Sequence, residues 1–393
     1  MKWFRVLVFI LSLVRTVYGF VGTEGIRFTL DGTPWYCSGT NAYYAGLKYI
    51  MSDSDVDVMM KLHAQQGVNV MRVFAHSNFD SVPDAMMPSF GQYNEDSIRR
   101  LDLAVATAAR YEIRLILVLS NYWEFTGGVQ DWVDRGVGSG KSLNLFYTDP
   151  TLKGHFKGWM QHIITRKNTV SGVLYTEDPT IMAWELMNEP RSSGKNARII
   201  CDWVWEMARF IKSIDKNHLV CTGEEGFLND PENAKEPNAW IDNGYEGVDF
   251  WCNIQSPDID FATIHTYPDQ WDMKPPDGYT WLADNFFKRR AALAHSLGKP
   301  IILEEYGQAK NFYGDRDALL DWIHRQANDN QFGCTLVWAV TTRGSDGIIY
   351  GKDDQGYVFL YGDDGSMALK TQVVQMKINM INDTINAIKE QHG

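Results

Sequence analysis

The sequence predicts one closed (β/α)8 TIM barrel, an α/β fold, and three observations point there. Short β-branched, apolar runs alternate eight times with longer amphipathic segments. Most runs are apolar nearly throughout, not at every second residue, which marks strands covered on both faces. No linker, charge block or short repeat divides the 393 residues, and barrels of this kind use about 250 residues or more as one domain.

In chain order, strands are expected over residues 35–41, 68–74, 114–120, 181–185, 218–222, 261–264, 300–304 and 335–339. Between the first two runs, a helical pattern opens near Ser52 and stops at Gly67, a residue suited to a helix C-terminus. After the second, Ile98, Leu101, Val105 and Ala108 share one helix face. Beyond the eighth, Val374, Ile378, Ile381, Ile385 and Ile388 line one face of a last helix, expected to dock and close the barrel. At the other terminus, Lys2 and Arg5 precede an apolar run over 6–14 and the small Gly19. Residues 1–19 therefore read as a secretory signal, which leaves 20–393 as the folded domain of an exported, extracellular protein. The run is too short to span a bilayer, and Arg15 follows it.

Composition narrows the function classes. With 45% hydrophobic and 22% charged residues there is ample material for a packed core. A net charge of -12 argues against nucleic acid or an anionic membrane as partner, since both need a basic surface. The 14 Trp, 18 Tyr and 19 Phe exceed what a core of this size requires; exposed aromatic faces grip sugar rings, although most of these rings are expected in the core. Five cysteines (Cys37, Cys201, Cys221, Cys252, Cys334) allow at most two disulfides and leave one thiol, with the pairing open. None forms a Cys-x-x-Cys pair, and no metal site is expected. No glycine-rich strand-to-helix turn supports a nucleotide, so no cofactor is expected. A sequon at Asn382, Asp383 and Thr384 agrees with export.

Chemistry should sit at the C-terminal ends of the strands. The fourth run ends in Trp184-Glu185-Leu186-Met187-Asn188-Glu189-Pro190-Arg191, and Pro190 stops the ladder there, presenting Asn188 and Glu189 at the rim. The seventh ends in Leu303-Glu304-Glu305-Tyr306-Gly307. Strands four and seven face each other across a barrel, so Glu189 and Glu305 can flank one bond. Cleavage of a glycosidic bond needs two carboxyl groups so placed. Burial at the mouth of an apolar barrel is expected to raise the pKa of a carboxyl that must donate a proton. Alone, Asn-Glu-Pro also fits a helix start and Glu-Glu a solvated pair; jointly they favour chemistry.

These residues resemble glycoside hydrolase family 5, the cellulases and mannanases, over nearly the whole mature chain. The resemblance implies Glu189 as acid/base, Asn188 as the residue addressing the sugar 2-hydroxyl, and Glu305 of the Glu-aromatic-Gly signature as nucleophile. Arg72 matches the arginine that pairs with the nucleophile, His265 and Tyr267 the His-x-Tyr pair, and Trp338 the platform under the sugar at the cleavage point. Gly39 to Tyr44, Asn121-Tyr122-Trp123, Asp178 to Trp184 and His265 to Trp271 are similar to stretches of endo-β-1,4-mannanases more than of cellulases. Arg191 is similar to an arginine lining an aglycone subsite, and Asn121, Trp123 and Trp271 are expected to bind substrate. Phe74 and His76 depart from the Trp and Phe of many relatives. The expectation is a monomeric, retaining endo-mannanase acting on a β-mannan polysaccharide. A β-1,4-glucanase on the same scaffold is the nearest alternative, and a non-catalytic carbohydrate-binding protein the alternative of another class.

Overall fold

The computed structural model describes residues 19–232, 234, 237–309, 315–345, 347–351, 356–360, 370, 372, 374–380 and 382–383. The expected signal segment lies, apart from Gly19, outside the described residues.

The chain opens with an antiparallel hairpin sheet: β1 (Val21–Glu24), β2 (Arg27–Leu30) and β3 (Thr33–Trp35). The expected strand over 35–41 is thus two elements: its first residue ends the hairpin and only its end joins the barrel. An Asp-Gly turn joins β2 to β3, with φ of 52° at Asp31 and 74° at Gly32, the positive values that a tight hairpin needs. That dipeptide was the readable signal for the hairpin.

Eight parallel strands follow: β4 (Gly39–Asn41), β5 (Val70–Phe74), β6 (Arg114–Val118), β7 (Ile181–Glu185), β8 (Leu219–Cys221), β9 (Ala262–Thr266), β10 (Ile301–Tyr306) and β11 (Cys334–Val337). Their order is β8-β7-β6-β5-β4-β11-β10-β9. The remaining seam between β8 and β9 is bridged less regularly, by Asp260 N–H donating to the Val220 carbonyl (2.9 Å), Glu224 N–H to the Thr263 hydroxyl (3.0 Å) and His265 N–H to the Glu225 carbonyl (3.3 Å). Every residue of the eight strands is buried, as their unbroken hydrophobicity requires.

Two cores result. Between sheet and helices, Ile98, Leu101, Val105 and Ala108 of the helix Glu95–Arg110 are fully buried together, as their spacing predicts. Inside the barrel, Val70, Ile116, Met182, Ile302 and Leu336 meet Val21 and Phe28, so the hairpin plugs the N-terminal end. Phe28 meets Phe261 edge-on at 5.3 Å. Two disulfides form, Cys37–Cys334 beside the first and last barrel strands and Cys201–Cys252 between two helices, which leaves Cys221 as a buried thiol.

Two of the five residues expected on the docking face of the last helix, Val374 and Ile378, differ from the expectation. Residues 370, 372, 374–380 and 382–383 are helical, but Val374 and Ile378 are 56% and 43% exposed; Ile381, Ile385, Ile388 and Thr384 of the sequon lie outside the described residues. Among the described residues, a polar contact joins this segment to the barrel: buried Gln372 accepts from the Ser38 hydroxyl (3.1 Å) and the Gly39 N–H (3.2 Å). Among the described residues, no helix is long and apolar enough to cross a membrane.

Candidate active site

At the C-terminal rim, β5 contributes Arg72, whose guanidinium is completely buried and works as a hub. Its Nε and Nη2 donate to both oxygens of Glu185 (2.6 and 2.5 Å), Nη2 also to Asn188 Oδ1 (2.7 Å), and Nη1 to Glu305 and to Asn41 Oδ1 (3.2 Å). A rigid fork with five donors can hold several carboxylates at once. With no exposure, Arg72 orients the groups that reach the cleft and does not reach it itself.

Glu189 stands past the end of β7 with φ of 50°, a left-handed backbone that costs a non-glycine residue about 1 kcal/mol or more. The strained turn is anchored by its own N–H, which donates to the Gly223 carbonyl (2.8 Å). Gly223 has no substitute, because a Cβ there would lie 2.1 Å from Glu185 Oε1 and 2.2 Å from the Met187 carbonyl. Glu189 Oε2 accepts from the Trp123 indole (2.6 Å), and Oε1 is 2.9 Å from His265 Nδ1. Asn188 spends one amide hydrogen on Asn121 Oδ1 (3.0 Å), while Asn121 Oδ1 also accepts from Trp123 N–H (3.2 Å). Buried Asn121 therefore shapes the loop carrying Trp123.

Glu305 accepts from the Tyr267 hydroxyl (2.7 Å) and from Arg72. Its neighbour Glu304 would normally point to the other face of the strand. The ladder slips there: Leu303 pairs Ile264, and Glu305, not Glu304, pairs His265. This bulge turns both carboxyl groups inward, with Glu304 Oε2 3.2 Å from His265 Nε2 and Oε1 3.7 Å from Arg72 Nε. One carboxylate oxygen each from Glu189 and Glu305 and one His265 nitrogen all lie within 4.8 Å of one another.

Burial pushes the Glu185 carboxyl up to about 8 against the pull of Arg72, and raises Glu305 against His265 and Arg72. It also works upward on Glu189, but there the His265 hydrogen bond and charge, helped by Arg191 and Trp123, outweigh it and hold the group at about 2. The imidazole in turn loses by burial and gains more from Glu305, Glu189 and Glu304, which hold it charged. The expectation that desolvation would raise the acid is corrected here for Glu189: a facing imidazolium wins over burial.

A family profile described as GH family 5 beta-mannosidase-like matches residues 18–332. Mannan endo-1,4-beta-mannosidase 1 of Oryza sativa subsp. japonica is 36% identical over 88% of this chain and 82% of its own length, and mannan endo-1,4-beta-mannosidase 7 of Arabidopsis thaliana 35% over 84% and 79%. Among solved structures, the endo-beta-1,4-mannanase from Thermotoga petrophila aligns with a TM-score of 0.80 at 30% identity, over 88% of this chain and 77% of that one. The endo-1,4-beta-mannanase from Rhizomucor miehei aligns with 0.78 at 30%, over 91% and 99%.

The chain belongs to glycoside hydrolase family 5. In this family 5 hydrolase, the rim around the two glutamates divides into two sides. On one, Tyr43 stacks on Trp338 (5.4 Å, 6° between planes), and Phe125 and Phe74 complete an aromatic patch. On the other, Arg191 lies over Trp123 (5.1 Å) and Phe227 (5.4 Å), with Glu246 accepting at 2.8 Å and Glu225 closer still. Trp123 is 40% exposed, whereas Trp271 is 8% exposed and packed among Phe227, Trp240 and Phe286. Trp271 packs in the core, which corrects its expected place among the substrate-binding residues. Glu225, Glu246, Tyr43 and Phe125 were missed in the sequence. Glu225 follows the fifth apolar run as Glu189 follows the fourth, so its signal was there; Tyr43 lies within the mannanase-like stretch Gly39 to Tyr44, and Phe125 carries no signal beyond being aromatic.

Proposed function

We propose that this protein is a retaining endo-acting β-1,4-mannanase that cuts mannan, galactomannan or glucomannan by double displacement. What carries the reading is the pair Glu189 and Glu305, whose nearest oxygens fall within 4.8 Å. Retaining enzymes hold their carboxyl groups about 5 Å apart, while inverting ones leave roughly 6.5 to 9.5 Å for a water. Glu305 attacks the anomeric carbon, oriented by Arg72 and Tyr267. Glu189 protonates the leaving oxygen and then takes a proton from the water that releases the sugar. That proton is shared with His265, so the pair titrates as a unit. Asn188, locked by Arg72 and Asn121, keeps one amide hydrogen for the sugar 2-hydroxyl. Trp338 and Trp123 offer ring faces on either side of the cut, and Arg191 lines the aglycone side. The named relatives support mannan as the polymer. We also propose export through residues 1–19, which two disulfides support.

Viscosity and reducing ends, followed together on mannan, galactomannan, glucomannan and carboxymethylcellulose, test the assignment. Viscosity should fall ahead of reducing-end release on the mannans, with mannobiose and mannotriose as main products and the β-anomer formed first. Equal or greater activity on carboxymethylcellulose overturns the substrate; initial release of the α-anomer overturns retention.

A further inference from the structure

Glu304 is a buried acid that the reaction leaves unused. It has no exposure, so it touches no sugar, yet a carboxylate out of water is costly unless it is paired. Arg72 spends its short bonds on Glu185, Glu305, Asn188 and Asn41 and stands 3.7 Å from Glu304. The partner at close hydrogen-bond distance is His265, whose Nε2 lies 3.2 Å from Glu304 Oε2 while its Nδ1 lies 2.9 Å from Glu189 Oε1; the Cys221 thiol reaches Glu304 Oε1 at 4.0 Å. One imidazole thus spans the space between the buried acid and Glu189. The ladder slip at this residue is what aims the side chain inward.

We propose that Glu304 is a positioning residue that fixes the orientation of His265 and holds on the His265–Glu189 pair the proton which Glu189 delivers to the leaving oxygen. This rests on the reading of Glu189 as the acid/base. A carboxylate beside an imidazole favours the protonated ring and fixes which nitrogen faces it. Glu305 also faces His265, at 3.6 Å from Nδ1, and itself accepts from the Tyr267 hydroxyl; Glu185, Glu225 and Arg72 lie beyond, and Arg191 beside Glu189. Of these, Glu304 is the carboxylate in contact with Nε2 that takes no part in bond making, so its charge can be removed without removing a reacting group.

The test is the pH profile of kcat/KM for Glu304→Gln, with Glu304→Asp and Glu189→Gln beside it, on an aryl β-mannoside whose leaving group needs no acid and on mannan. On mannan, Glu304→Gln should move the alkaline limb to lower pH by about one unit, and Glu304→Asp, which keeps the charge, should leave the limb near the wild-type position even if kcat falls. An unmoved limb, or one moved upward, in Glu304→Gln overturns the proposal. Glu189→Gln should keep kcat/KM near wild type on the aryl mannoside and lose about a hundredfold or more on mannan; if it stays active on mannan, the acid/base reading itself fails, whereas that loss with no shift in Glu304→Gln sinks the present inference alone. Imidazole 15N NMR of the wild-type enzyme gives a readout that needs no variant to fold: His265 should stay protonated through neutral pH, and a neutral ring at pH 7 overturns the proposal.

Discussion

At the N-terminal end of the barrel strands, Val21 and Phe28 of the hairpin pack against Phe261, and a disulfide ties Cys37 to Cys334. At the C-terminal end, Arg72, Glu185, Glu189, His265, Glu304 and Glu305 crowd into one network, beside a residue in left-handed backbone. The first arrangement gains free energy from apolar burial and cross-linking. The second holds four carboxyl groups around one guanidinium and one imidazole, where removing any partner leaves a charge uncompensated. One end stabilises the barrel so that the other can keep strained, desolvated groups in place.

The largest effect expected lies at the rim. Glu305→Ala should lower turnover by about ten-thousand-fold or more, since the covalent partner is gone, while the thermal transition stays cooperative. Azide or formate should restore part of the activity and give a product of inverted anomeric configuration. Rescue in Glu304→Ala with Glu305→Ala still active would reverse the assignment of the two acids.

At the opposite end, Cys37→Ser should cost about 2 to 5 kcal/mol in denaturant unfolding, because the bridge closes a loop spanning 297 residues. At temperatures where the variant is folded, kcat should stay within about twofold of wild type. A large loss of kcat at full folding would show that the two ends are coupled.

A smaller effect sharpens the comparison from inside the rim. His76 is buried, with its ring nitrogens at the Val118 carbonyl and the Thr126 hydroxyl, and burial lowers its pKa to about 4. The folded state therefore favours the neutral ring: its contribution is complete above the unfolded value near 6.5 and is lost as pH falls towards 4. His76→Phe should reduce the acid destabilisation between those two values by at most about 3 kcal/mol. An unchanged slope of stability against pH in that window would remove His76 from the account.

The sequence by itself determined the barrel, because strands buried on both faces must be apolar throughout and helices between them must repeat at 3.6 residues. It also carried the two acidic motifs to the C-terminal ends of two different strands, since proline after Glu189 and an apolar run before Glu304 are local facts. It did not show the hairpin as a plug, because Asp31-Gly32 marks a turn but not what the turn packs on. Tertiary structure alone decided that Glu304 and Glu305 face the same way, since a slip in the ladder overrides alternation, and that His265 lies between three carboxyl groups, two from one strand and one from a loop. It decided too that Trp123 reaches the cleft and Trp271 does not: the two are the same residue type in similar surroundings of sequence, and only the position of Phe227, Trp240 and Phe286 around one of them makes it core. Proton affinities followed the same rule, because the charge facing a carboxyl group comes from residues far away in the chain.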